Sequence, residues 1–175
     1  NLKGTKDIRL LDYGSNSYRS LHRTLEDLGI EVSTFDIGES YDAINGQFDL
    51  ITSYFALEHI VDLDQVINLF KMHSKNGTVL IIEVPDAALY DKFVSGLYCE
   101  HMQHFQQYSL ETLLSRHGYR KLQADNNACS RDFGIVASFE FVGKHKIVVN
   151  DSVEDTREKF RQARYHQENA LVCYP

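Results

Sequence analysis

The sequence predicts an α/β domain built on a mostly parallel, doubly wound sheet, and three observations carry that expectation. A strand, a glycine turn, a helix and a second strand follow one another within about 30 residues near the start of the chain. Two further strand-like runs, Phe48–Ser53 and Thr78–Glu83, flank a helical pattern over Asp64–His73. Such alternation of strand and helix is what a parallel sheet with covering helices requires, because each parallel connection needs a crossover.

The elements follow in order. Ile8-Arg9-Leu10-Leu11-Asp12 is a short apolar run ending at an acid, a buried strand before a tight turn. Leu21, Leu25 and Leu28 recur at helical spacing over Ser17–Leu28, and Gly29 supplies a stop. Glu31–Asp36 is the second strand. Val66, Ile67, Leu69 and Phe70 form the apolar face of the Asp64–His73 helix, Asn76-Gly77 is a turn, and Thr78–Glu83 is a β-branched strand ending at Pro85-Asp86. Ser109 is the expected N-cap of a helix through Leu110, Leu113 and Leu114 that stops near Gly118. Tyr119–Asp125 and Phe133–Val142 are late strands, Ile147–Val149 extends the β-like region, and Ser152–Asn169 is a polar helix with neighbouring charges such as Arg157 and Arg161. Residues 1–150 are expected to form the domain and 151–175 a helix or connector; the chain does not begin with Met and reads as a piece of a longer one.

The 175 residues suit one domain. Hydrophobic residues make up 43% and charged residues 25%, the balance of a soluble globular protein, and two prolines with ten glycines exclude collagen-like and disordered classes. No apolar run reaches the roughly 18–20 residues of a membrane helix. A net charge of −7 without a basic run argues against nucleic acid as the main substrate, since phosphate binding needs clustered Lys and Arg. Cys99, Cys129 and Cys173 are far apart and lack metal-type spacing, which fits reduced thiols and a cytoplasmic protein.

Four segments carry the chemistry. Asp12-Tyr13-Gly14-Ser15-Asn16-Ser17-Tyr18 joins a strand to a helix, where small residues let backbone N–H groups approach a ligand. Asp36 ends the second strand 24 residues after Asp12, where a carboxylate can accept both hydroxyls of a ribose. Phe48-Asp49-Leu50-Ile51 runs on through Ser53, Tyr54, Phe55, Ala56, Leu57, Glu58 and His59, and Asn76–Pro85 follows after a helix. Lastly, Tyr98-Cys99-Glu100-His101-Met102-Gln103-His104-Phe105 precedes the Ser109 helix. His101 and His104 could be two metal ligands, but no third ligand is evident and no metal is expected.

The first segment resembles the D-x-G-x-G-x-G loop of class I methyltransferases, which wraps S-adenosylmethionine. Gly14 keeps its glycine, Asn16 substitutes through its tolerance of left-handed angles, and Tyr18 departs from the pattern. The third segment is similar to the region between the fourth and fifth strands of that family. The resemblance covers roughly Ile8 to Gly118 and implies a Rossmann-like sheet with a late antiparallel hairpin. It assigns Asp12, Gly14, Asn16, Asp36, Ser53, Tyr54 and Phe55 to the cofactor, S-adenosylmethionine. Twelve residues between Asp36 and Asp49 leave hardly any room for the usual third strand, so that strand is expected to be short or absent.

The fourth segment resembles the Y-x-E-H segment of sugar C-methyltransferases. By position His101 is the implied general base, with Tyr98 and Glu100 beside it. Carbon next to a ketone becomes nucleophilic only when a proton leaves, and an imidazole is suited to take it near neutral pH. The implied reaction is methyl transfer to a small, sugar-like acceptor, either on carbon of a nucleotide-linked keto-sugar or on oxygen of a saccharide. Two other readings stay open: a methyltransferase-like binding or scaffolding domain without turnover, and an oxidoreductase using NAD. The sequence leaves the oligomeric state open.

Overall fold

The computed structural model describes residues 8–15, 19–92, 98–122, 133–144, 157–158 and 161–162. The first apolar run forms strand β1 (Ile8–Tyr13), helix α1 (Arg19–Asp27) follows, and strand β2 (Ile30–Phe35) lies parallel to β1. Leu28 falls just past α1 and is exposed. Between β2 and the next strand the chain makes only a 3-10 turn, Tyr41–Ala43, so the expected loss of a third strand holds. Strand β3 (Phe48–Tyr54) then pairs parallel to β1 on the side opposite β2. A 3-10 turn (Leu57–His59) leads into helix α2 (Leu63–Met72), capped by the Asp62 side chain accepting from the Gln65 N–H at 3.0 Å. Strand β4 (Ser74–Pro85) is parallel to β3.

Two boundaries differ from expectation. Asn76-Gly77 is not a turn that separates α2 from the strand. The strand begins at Ser74, and Lys75–Gly77 bulge outward, which shifts the β3–β4 register between Phe48 and Leu50. The Thr78 hydroxyl anchors this bulge by accepting from the Lys75 N–H and donating to the Phe48 carbonyl. Helix α3 (Gln107–Arg116) starts earlier than predicted. Gln106 is its N-cap, and Ser109 sits at the third helical position, completing a reciprocal capping box in which its hydroxyl accepts from the Gln106 N–H.

Strand β5 (Tyr119–Lys121) pairs antiparallel with β6 (Gly134–Phe141), and β6 pairs antiparallel with β4. The six strands lie in the order β2-β1-β3-β4-β6-β5, the Rossmann-like sheet with a late hairpin that the family resemblance implied. Asp12 and Tyr13 point to opposite faces, as neighbours in a strand must. Asp12 meets His22 of α1 and Tyr13 meets Phe70 of α2, so the two helices cover opposite faces. Val66, Ile67 and Phe70 of α2 and Leu110 and Leu114 of α3 are fully buried with Ile51, Leu80, Ile82 and Phe139 of the sheet. Asn16, the Ile147–Val149 extension, the 150/151 boundary and most of Ser152–Asn169 lie outside the described residues; Arg157, Glu158, Arg161 and Gln162 are helical.

Candidate active site

The C-terminal ends of β1, β2, β3 and β4 lie at one edge of the sheet. The chain runs from β1 outward to β2 and then returns to β3 on the far side of β1, which makes the β1/β3 junction the topological switch point. Gly14, Asp36, Ser53–Phe55 and Glu83–Asp86 all stand at that edge.

At β1 the Asp12 carboxylate is buried and turned inward. Oδ2 accepts from His22 Nε2 at 2.7 Å, and Oδ1 accepts from the Thr52 hydroxyl at 2.7 Å. Asp12 therefore clamps the end of β1 to α1 and β3. Gly14 follows with φ +80°, and its N–H donates to the Phe35 carbonyl at 2.7 Å, strapping the turn to the residue before Asp36. A Cβ on Gly14 would lie 2.4 Å from the Ala56 Cβ. The glycine is thus needed for backbone angle and for close approach alike. The Asp36 carboxylate is half-exposed and makes no hydrogen bond or ion pair with another described residue.

At β3 the Ser53 hydroxyl is fully buried with no hydrogen-bond partner. The Tyr54 hydroxyl is pushed above its usual range by burial and by the Asp12 and Glu83 carboxylates. Phe55 has φ +49°, a strained angle for a bulky side chain. Its N–H donates to the Glu83 carbonyl at 2.8 Å, and its ring lies 5.9 Å from that of Phe133.

The Leu57–His59 turn receives the other motif. The Glu58 carbonyl accepts from the N–H groups of Met102 and Gln103 at 2.7 and 3.0 Å, and the Gln103 side-chain amide donates to the carbonyls of Ile60 and Val61. The Phe105 carbonyl accepts from the Ala87 N–H at 2.7 Å, which ties the same segment to the end of β4. These contacts bring the His101 ring within 5.0 Å of His59 and 5.5 Å of Tyr98. Tyr98 is 60% exposed and Glu100 is exposed, its backbone carbonyl accepting from His59 Nδ1 at 3.2 Å. Cys99 is exposed.

Several residues gain a place that the sequence did not give them. His22 is the partner of Asp12, and only its position in the first helical turns of the crossover hinted at it. Glu58 is almost fully buried, and that burial raises its carboxyl to a pKa of about 7, with Glu83 adding to the shift. His104 Nδ1 and the Tyr90 hydroxyl share a hydrogen bond of 3.0 Å, and burial together with His101 lowers the His104 pKa.

Comparison with known proteins places this geometry in a family. Residues 2–124, about 70% of the chain, match the family described as a methyltransferase domain. No curated protein sequence matches the chain. Similar solved folds include an S-adenosylmethionine-dependent methyltransferase from Clostridium acetobutylicum, 14% identical over 79% of this chain and 85% of that one, with a TM-score of 0.53. A methyltransferase from Listeria monocytogenes described as S-adenosylmethionine dependent is 10% identical over 80% and 92%, with a TM-score of 0.57. The plantazolicin methyltransferase BpumL, solved with a triazolic desmethylPZN analog and S-adenosylhomocysteine, is 9% identical over 77% of both chains, with a TM-score of 0.56. The chain belongs to the methyltransferase-domain family, and its sheet has the fold of class I, S-adenosylmethionine-dependent methyltransferases.

Proposed function

We propose that the chain transfers a methyl group from S-adenosylmethionine to a small, sugar-like acceptor. Carbon beside a ketone is the sharpest form of that acceptor, and a saccharide hydroxyl is its nearest neighbour. The observation that carries the reading is the docking of the 98–105 segment onto Glu58, which sets His101 at the same sheet edge as the β1 turn and Asp36.

The cofactor supplies an electrophilic methyl on a sulfonium centre. The chain's residues hold and orient. The turn that follows β1 at Gly14 would hold the methionine and ribose side of the cofactor, with Asp12 acting through the position it gives that turn. Asp36 accepts the ribose hydroxyls, and charge-assisted hydrogen bonds of that type contribute about 1.5–3 kcal/mol each. Ser53, Tyr54 and Phe55 would line the floor of the cofactor site at the end of β3.

On the acceptor side His101 would take the proton from the carbon next to the ketone, which makes that carbon nucleophilic toward the methyl group the cofactor would supply. Tyr98 offers its hydroxyl to the developing enolate oxygen. Glu100 contributes through its backbone carbonyl, which fixes the His59 ring beside His101. The test is formation of S-adenosylhomocysteine from a panel of keto-sugars and saccharides. His101→Ala should lower kcat by about 10²–10⁴-fold for a ketone acceptor, the range of general-base catalysis. An active enzyme indifferent to His101→Ala would remove His101 from this role.

A further inference from the structure

We infer that Glu58, His59 and His101 form a binding site for a divalent transition-metal ion, with zinc the best match, and that an ion there withdraws His101 from proton transfer. The second half of the inference rests on the role proposed above for His101; the first half does not. One ligand atom from each of the three side chains lies within 4.8 Å of the others. Glu58 is 1% exposed, and its Oε2 has no hydrogen-bond partner among the described residues. A buried carboxylate oxygen without a donor needs a proton or a cation.

The imidazole beside it is prepared for the same ion. His59 Nδ1 donates to the Glu100 carbonyl at 3.2 Å, which fixes the tautomer and leaves the Nε2 lone pair facing Glu58 Oε1 at 4.0 Å. A backbone carbonyl behind a ligating histidine is the usual outer support of a metal site. Zinc–ligand bonds of about 2.0–2.1 Å place tetrahedral ligand atoms about 3.4 Å apart, so small side-chain rotations close the site. The backbone bonds from Met102 and Gln103 to the Glu58 carbonyl hold His101 against the other two ligands before any ion arrives. Two histidines and one carboxylate are a donor set that zinc accepts with a fourth position open. Among the described residues the group whose ligand atoms converge is Glu58, His59 and His101, not the His101/His104 pair that spacing alone suggested.

A coordinated imidazole has no lone pair left for a proton, so ion binding and base catalysis by His101 exclude each other. The experiment is calorimetric titration of the chelator-stripped chain with Zn²⁺, with visible spectra of the Co²⁺ form as a second readout. One ion per chain is expected, with tetrahedral Co²⁺ bands. Glu58→Gln and His59→Asn should each weaken binding at least about 10-fold while retaining the wild-type circular dichroism spectrum. His73→Asn, at a surface histidine, should bind as wild type. Absence of a bound ion, or binding equal in all variants, would overturn the site. Zinc that binds there yet leaves methyl transfer unchanged keeps the site and removes His101 as the base. Failure to bind combined with inactivity of His101→Ala overturns the site and keeps the base.

Discussion

Gly14→Ala loads the cofactor turn at its tightest point. The substitution places a side chain at φ +80°, which costs an L-residue about 1–2 kcal/mol. It also sets two methyl carbons, those of residues 14 and 56, 2.4 Å apart, so one of them must move. Overpacking of that kind costs about 1–3 kcal/mol. The single variant should therefore lose about 2–5 kcal/mol of a total stability of about 5–15 kcal/mol. Ala56→Gly removes the opposing methyl at a cost of about 1–2 kcal/mol, from a lost buried methyl and a freer backbone. In the double variant the steric part vanishes and the backbone part stays, so its loss should fall short of the sum of the singles by about 1–3 kcal/mol. Urea unfolding followed by circular dichroism measures all four corners of the cycle. Calorimetry with S-adenosylhomocysteine reads the turn itself, and the single variant should bind more weakly than the double. Strict additivity of the two substitutions would show that the close approach of Gly14 to Ala56 is not what requires the glycine.

Other consequences can be tested independently. Burial raises the Glu58 carboxyl from its ordinary 4.5 to about 7, so the folded state holds a proton that the unfolded chain releases. Stability should then fall as pH rises from about 4.5 to about 7, by about 3 kcal/mol relative to Glu58→Gln in metal-free buffer, and level off above that range. A wild-type minus variant difference that stays flat with pH would contradict it. Asp12→Ala leaves the buried His22 ring and Thr52 hydroxyl without their acceptor, and chemical denaturation should register a loss of about 3 kcal/mol or more.

The parallel half of the fold was legible because its signals are local. β1, α1, β2, β3 and α2 each announce themselves by apolar period and by a glycine or an acid at the boundary. The short Asp36–Asp49 interval likewise leaves no length for another strand. Boundaries failed where tertiary bonds decide them. The Asn76-Gly77 pair looks like a free turn, yet the Thr78 hydroxyl bond to the Phe48 carbonyl holds it inside β4 as a bulge. Ser109 looks like an N-cap, yet Gln106 serves because its side chain and Ser109 bond reciprocally.

The candidate site divides along the same line. Gly14, Asp36 and His101 stand in recognisable segments. The inward turn of Asp12 toward His22, and the union of Glu58 with the 98–105 segment, depend on bonds between residues 10 and more than 40 positions apart. No spacing rule reaches that far. The strained angle at Phe55 is equally invisible, because Phe is among the residues least suited to it.

The central claim is that the β1 turn and Asp36 form the S-adenosylmethionine site, and calorimetric titration with S-adenosylhomocysteine tests it most directly. NAD serves as the control and Asp36→Ala as the variant. Because the Asp36 carboxylate makes no hydrogen bond or ion pair with another described residue, the variant should keep wild-type stability within about 0.5 kcal/mol. It should lose about 10-fold or more in affinity for S-adenosylhomocysteine, and NAD should not bind. Equal affinity in wild type and Asp36→Ala, or a preference for NAD, would contradict the account.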